Sequence, residues 1–158
     1  MKKILSILAI GVLLTSCGEK KEEKKGGFDM QRTKTEDKAT SASKGVPVDM
    51  DNEGIGPFKD IEFSDIDTDL AAAGEAKYST VCTACHMAEE RMIGPALAGV
   101  YDRRNPAWVM NMIKNPTEML KKDPIAKALL EEYNNAIMLD SGLSEDDTRA
   151  IAEYLRTL

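Results

Sequence analysis

The chain has 158 residues, 42% hydrophobic and 30% charged, which suffices for one globular core and a further segment but not for two sizeable cores. Its 27 acids outnumber its 21 bases, and a net charge of -6 is the wrong sign for offsetting a phosphate backbone, so nucleic acid is excluded as a partner. Three cysteines are too few for a disulfide scaffold, and a single histidine removes most multi-histidine metal sites.

Residues 1–16 read as a signal peptide: Lys2 and Lys3 form a positive start, and Ile4 to Leu14 form an apolar run interrupted only by Ser6 and Gly11. That run is too short to span a bilayer comfortably. Leu14-Thr15-Ser16-Cys17 comes next and resembles the bacterial lipobox, in which the cysteine takes lipid and becomes the first mature residue. Lipidation also accounts for a cysteine that would otherwise be a free exposed thiol outside the cytoplasm. The expected protein is anchored to a bacterial membrane through Cys17 rather than spanning it. Residues 17–44 are rich in Lys, Glu, Gly, Ser and Thr, with one aromatic, Phe28, and without hydrophobic periodicity, the composition of a disordered tether.

Residues 45–68 form an acidic stretch. From Gly45 to Ala73 eight acids face one base, Lys59, yet Val46, Val48, Ile55, Phe58, Ile61, Phe63 and Ile66 are interleaved among them. A bare charge run is usually a solvated surface. The interleaved apolar residues instead point to a segment lying against the domain, with a turn at Gly54-Ile55-Gly56-Pro57.

From residue 69 the periodicity is helical. Leu70, Ala73, Tyr78 and Val81 share a face of a first helix capped by Thr68 or Asp69. Asn105-Pro106 opens a second helix with the stripe Trp108, Val109, Met112 and Ile113, ending at Asn115 before Pro116. Asp123-Pro124 opens a third, through Ile125, Ala128, Leu129 and Glu132. Ser144 caps the last, with Asp147 three residues on and the stripe Thr148, Ile151, Ala152 and Leu155. No strand-like alternation of useful length occurs after residue 69, so residues 69–158 are expected to fold as an all-α domain of about four helices.

The chemistry lies in Cys82-Thr83-Ala84-Cys85-His86. In C-x-x-C-H two thiols three residues apart project from one face of a helical turn, where each can add to one vinyl group of a single porphyrin while the histidine reaches its iron. A zinc site would need a fourth ligand that only Cys17 offers, and a thioredoxin-like dithiol would need a βαβ context. An export signal favours one covalent haem c.

Residues 69–158 resemble a small class I mono-haem cytochrome c. Gly74 and Tyr78 precede Cys82 as in that family's first helix, where the glycine lets this helix cross the last one closely beside an aromatic, here Tyr154. Gly94-Pro95-x-Leu97 comes after the haem motif, and the resemblance implies that the Pro95 carbonyl accepts a hydrogen bond from the second nitrogen of His86. Trp108 is placed to hydrogen-bond a haem propionate, with plain core packing as the other reading.

With His86 the sole histidine, ligation by two histidines within the chain is impossible, and methionine is the remaining soft ligand the family uses. Of nine methionines, Met138 lies six residues before Ser144, as the ligand does in the family, although Leu139 stands where many relatives carry proline. Met119 is the second candidate, and an open sixth position the third. The resemblance implies a one-electron carrier in a respiratory chain, with its haem domain on the periplasmic side of the membrane. The rival class is a five-coordinate haem enzyme or small-ligand sensor, which lacks a distal histidine here. Gly45 to Leu158 also faintly resembles lipoprotein cytochromes that serve nitrous-oxide reductase, and a haem-copper oxidase is an equal candidate for the redox partner.

Overall fold

A computed structural model describes residues 45–158; the signal peptide, Cys17 and the tether fall outside the described residues. Five α-helices succeed one another: α1 (Thr68–Val81), α2 (Pro106–Lys114), α3 (Pro116–Lys122), α4 (Pro124–Glu132) and α5 (Glu145–Leu155), with one 3-10 turn at Val100–Asp102. Among the described residues the only β pairing is an isolated bridge between Asp49 and Arg104.

The helix starts obey local chemistry. Asn105 accepts from the Ala107 N–H and Asp123 from the Ala126 N–H, each with proline at the first helical position, where the missing N–H costs nothing. The extra helix relative to the sequence expectation is α3. Asn115-Pro116 was expected only to end α2, but the same proline also opens a seven-residue helix. Ser144 caps α5 through the Asp147 N–H at 3.0 Å. At α1 the cap is Asp67 rather than Thr68 or Asp69, its carboxylate accepting from the N–H groups of Asp69 and Leu70.

α1 packs across α5. Its buried face is Ala71, Gly74 and Tyr78, and Ala73 is exposed, so the expected stripe is rotated. Close approach decides the rotation: a Cβ on Gly74 would lie 1.9 Å from the Ala150 carbonyl oxygen, so only this face lets the backbones meet. The Tyr78 and Tyr154 rings lie beside the crossing, 5.1 Å between centroids.

Residues 45–67 run as a non-helical strap over the helices, held mainly through its backbone. Asn111, fully buried on α2, donates to the Glu53 and Phe58 carbonyls and accepts from the Phe58 N–H. Gly56 permits this approach, since a Cβ there would meet Asn111 Oδ1 at 2.2 Å. Asn115 donates to the Ile55 carbonyl, Arg104 to that of Pro47 and Arg156 to that of Ser64. Phe63 packs edge-on against Tyr101 at 5.0 Å, and buried Glu153 accepts from the Asp67 N–H at the strap's end. Asparagine and arginine donors thus meet carbonyls while most of the strap's acids stay exposed.

Candidate functional site

α1 delivers Cys82. The Cys82 N–H closes on the Tyr78 carbonyl, and the N–H groups of Cys85 and His86 both turn back to the Cys82 carbonyl at 3.1 and 2.9 Å, continuing the helix as a tight turn. No disulfide joins the two cysteines of the motif, Cys82 being half-buried and Cys85 exposed. Burial pushes the Cys82 thiol up to about 11.

His86 Nδ1 lies 2.9 Å from the Pro95 carbonyl oxygen. A carbonyl can only accept, so Nδ1 carries the proton and Nε2 keeps its lone pair free for a metal. Gly94 makes room for the ring: a Cβ there would lie 2.4 Å from His86 Cε1. The Gly94 N–H closes on the Cys85 carbonyl at 2.8 Å, tying this loop back to the motif.

Cys82, Cys85, His86, Pro95, Trp108 and Met138 all line one cavity of about 360 Å³. Its remaining wall is largely apolar, drawn from α2, α4 and α5 through residues such as Val109, Ile113, Leu129 and Leu155. Among the described residues Arg103 and Arg104 are the charged groups that reach it, and no carboxylate does. Sequence reasoning passed over both arginines. Their trace was two consecutive bases ahead of a helix cap in an acidic chain. Arg103 is held by the carbonyls of Ala96, Ala98 and Gly99. Arg104 is buried, so desolvation lowers its pKa, with Arg103 adding to this and Asp123 opposing it.

Two expectations are corrected. The Trp108 indole N–H is donated to buried Asp123 at 3.0 Å, so Trp108 contributes its ring to the cavity wall and not a hydrogen bond to a propionate. Asp123 sits there because it caps α4 one helix further on, which sequence spacing did not reveal. Met119 is fully buried under the strap, its sulfur accepting from the Ile55 N–H at 3.0 Å, and it does not line the cavity. Met112 on α2 does line it, alongside Met138.

The donor set suits a haem: two thiols, an imidazole with a free Nε2, thioether sulfur, apolar walls, and positive groups to meet two carboxylates. Among the described residues no group of three or more His, Cys, Asp or Glu converges as a metal cage. Residues 71–158 match the family model "Cytochrome c". The chain belongs to the cytochrome c family. It is a class I mono-haem cytochrome c, all-α, carrying one covalent haem c and serving as an electron carrier. It is 34% identical over 91 residues to cytochrome c2 iso-2 of Magnetospirillum molischianum, an alignment covering 50% of this chain and 92% of that one. Cytochrome c-554(547) of Halothiobacillus neapolitanus is 32% identical over 92 residues, 56% of this chain and 96% of its own. The solved cytochrome c from Rhodothermus marinus superposes with a TM-score of 0.62 at 47% identity, covering 65% of this cytochrome and 88% of that structure.

Proposed function

We propose that this protein is a lipid-anchored, one-electron carrier of a bacterial respiratory chain, its haem iron held between His86 and Met138. The observation that carries the reading is the convergence of Met138 with Cys82, Cys85 and His86 on one apolar cavity. When bound, the haem supplies a one-electron couple whose potential is raised by methionine ligation and burial. The protein's part is to hold that couple still. His86, oriented by the Pro95 carbonyl, donates from Nε2, and the apolar walls exclude water. Arg103 and Arg104, which line the cavity, would supply positive charge for the propionates. Met138 holding the metal would leave no place for a substrate there, which separates this reading from a five-coordinate enzyme or sensor. Met112 also borders the cavity, but it is committed to a helix, whereas Met138 stands on non-helical chain that can bring its sulfur to the metal.

Cys17 would carry the lipid, with the haem domain on the periplasmic side and the tether giving it reach toward a membrane complex. A nitrous-oxide reductase or a haem-copper oxidase is the proposed partner class. Among the described residues no helix is long and apolar enough to cross a membrane.

Met138→Ala is expected to abolish the weak far-red sulfur-to-iron band of the oxidised protein, lower the potential and admit carbon monoxide to the reduced form, while the thioethers retain the haem. Met112→Leu and Met119→Ala should keep the band; Met119→Ala loses about 2–5 kcal/mol of stability because that side chain is fully buried. A band surviving Met138→Ala and lost in Met112→Leu would reassign the ligand. Cys17→Ser should move the protein out of the membrane fraction with its haem intact; retention there would refute the anchor.

A further inference from the structure

Arg91 stands in the loop between His86 and Pro95 and reaches 41 positions along the chain to the end of α4. One guanidinium nitrogen donates to Glu132 Oε1 at 2.7 Å and the other to the Glu132 carbonyl at 2.6 Å. The guanidinium also lies 4.0 Å from the centre of the Tyr133 ring, and Tyr133 is buried and lines the haem cavity. This is a hold on backbone as well as side chain: the Glu132 carbonyl is one of the helix-end acceptors that α4 cannot satisfy internally. A planar fork can serve the carbonyl, the carboxylate and the ring at once, which a lysine cannot.

The chain beyond α4 is sparsely held. Asn134 and Asn135 adopt φ values of 57° and 59°, in the left-handed region, and turn the backbone out of the helix. The Asn135 N–H closes on the Leu130 carbonyl at 2.8 Å and the Ala136 N–H on that of Tyr133 at 3.0 Å. Past that point, residues 137–143 make no backbone–backbone hydrogen bond to any described residue. At the far end Lys114 Nζ donates to the Leu143 carbonyl at 2.6 Å. Ile137 and Leu139, which flank Met138, line the haem cavity with it, so neither a helix nor a backbone ladder fixes this span between its ends. Met138 therefore hangs between two anchors, and Arg91 secures the nearer one.

We propose that Arg91 is a positioning residue for the sixth ligand: by clamping the end of α4 to the loop that carries Pro95, it sets how readily Met138 yields its place to an exogenous ligand. This role for Arg91 rests on Met138 being the ligand. One side chain then links the loop that orients His86 to the loop that presents Met138.

The test uses the full-length holoprotein, titrating imidazole into the oxidised form and monitoring loss of the far-red band, with urea unfolding measured in parallel. Arg91→Ala is expected to bind imidazole about tenfold more tightly, the combined scale of an exposed ion pair and a cation–π contact. Glu132→Gln, which spares the carbonyl and the ring, should move the same way by less, and Arg91→Lys should fall between Arg91→Ala and the unaltered protein. Lys77→Ala is the control, breaking a comparable surface pair with Asp147 at 3.0 Å that lies on α1 and α5. Imidazole affinity unchanged within about twofold in Arg91→Ala, or raised equally in Lys77→Ala, would reduce Arg91 to a general structural contact and overturn the proposal. Met138→Ala is run beside them. If it loses the band while Arg91→Ala behaves as the unaltered protein, only the clamp fails; if it keeps the band, the ligand assignment fails and the clamp with it.

Discussion

Asn111→Ala is expected to loosen the strap without touching the haem. The side chain is fully buried and makes three hydrogen bonds to the strap's backbone: to the Glu53 carbonyl at 2.8 Å, to the Phe58 carbonyl at 2.9 Å, and from the Phe58 N–H at 3.0 Å. Each such bond is worth a net ~0.5–1.5 kcal/mol, so losing all three costs about 2–4 kcal/mol. At a urea dependence of about 2 kcal/mol per molar, the middle of the usual range, the unfolding midpoint should fall by about 1–2 M. Asn111→Asp should be worse than alanine, since its carboxylate would face the Glu53 and Phe58 carbonyls with no donor to offer either. Limited proteolysis should cut both variants within 53–58 while the haem spectrum stays unchanged, because Asn111 faces the strap and not the cavity. A midpoint shifted by less than about 0.3 M, or an aspartate variant as stable as the alanine one, would show that Asn111 does not hold the strap.

Gly74→Ala puts a methyl 1.9 Å from the Ala150 carbonyl oxygen, so α1 and α5 must separate; a loss of at least about 1–3 kcal/mol is expected in thermal unfolding, and a variant within about 0.5 kcal/mol of the unaltered protein would refute that contact. Burial raises the Tyr101 phenol above its usual 10.0, with Arg149 and Arg156 opposing and Glu153 reinforcing. The folded protein keeps that proton after the unfolded chain has released it, so this contribution is whole below about pH 10 and declines as pH rises above it, by at most ~1.4 kcal/mol per pH unit. Tyr101→Phe should flatten the fall in urea stability between about pH 9 and 11, and an unchanged slope would assign it to other groups.

Short-range chemistry is legible in the amino-acid sequence. The C-x-x-C-H turn, the Asx-Pro helix starts and the Ser144 cap each depend on residues within one turn of one another, so their geometry comes from spacing alone. The all-α class came from the same periodicity. The long-range partner of each residue, by contrast, was settled only once the chain had folded. The strap's interleaved apolar residues pointed to the domain, but the donors that hold it, Asn111, Asn115 and Arg104, are 53 to 60 positions from the carbonyls they meet. The family resemblance already implied that Gly74 lets α1 cross the last helix closely, but the stripe read from α1's own weakly amphipathic pattern missed that this crossing sets which face goes inside. Trp108 was readable as a cavity residue but not as Asp123's donor, and burial under the strap, which spacing did not reveal, keeps Met119 off the cavity that Met112 and Met138 line. Arg91's grip on Glu132 belongs to the same class, since a flexible cation finds its partner only after two loops have been brought together by the rest of the fold.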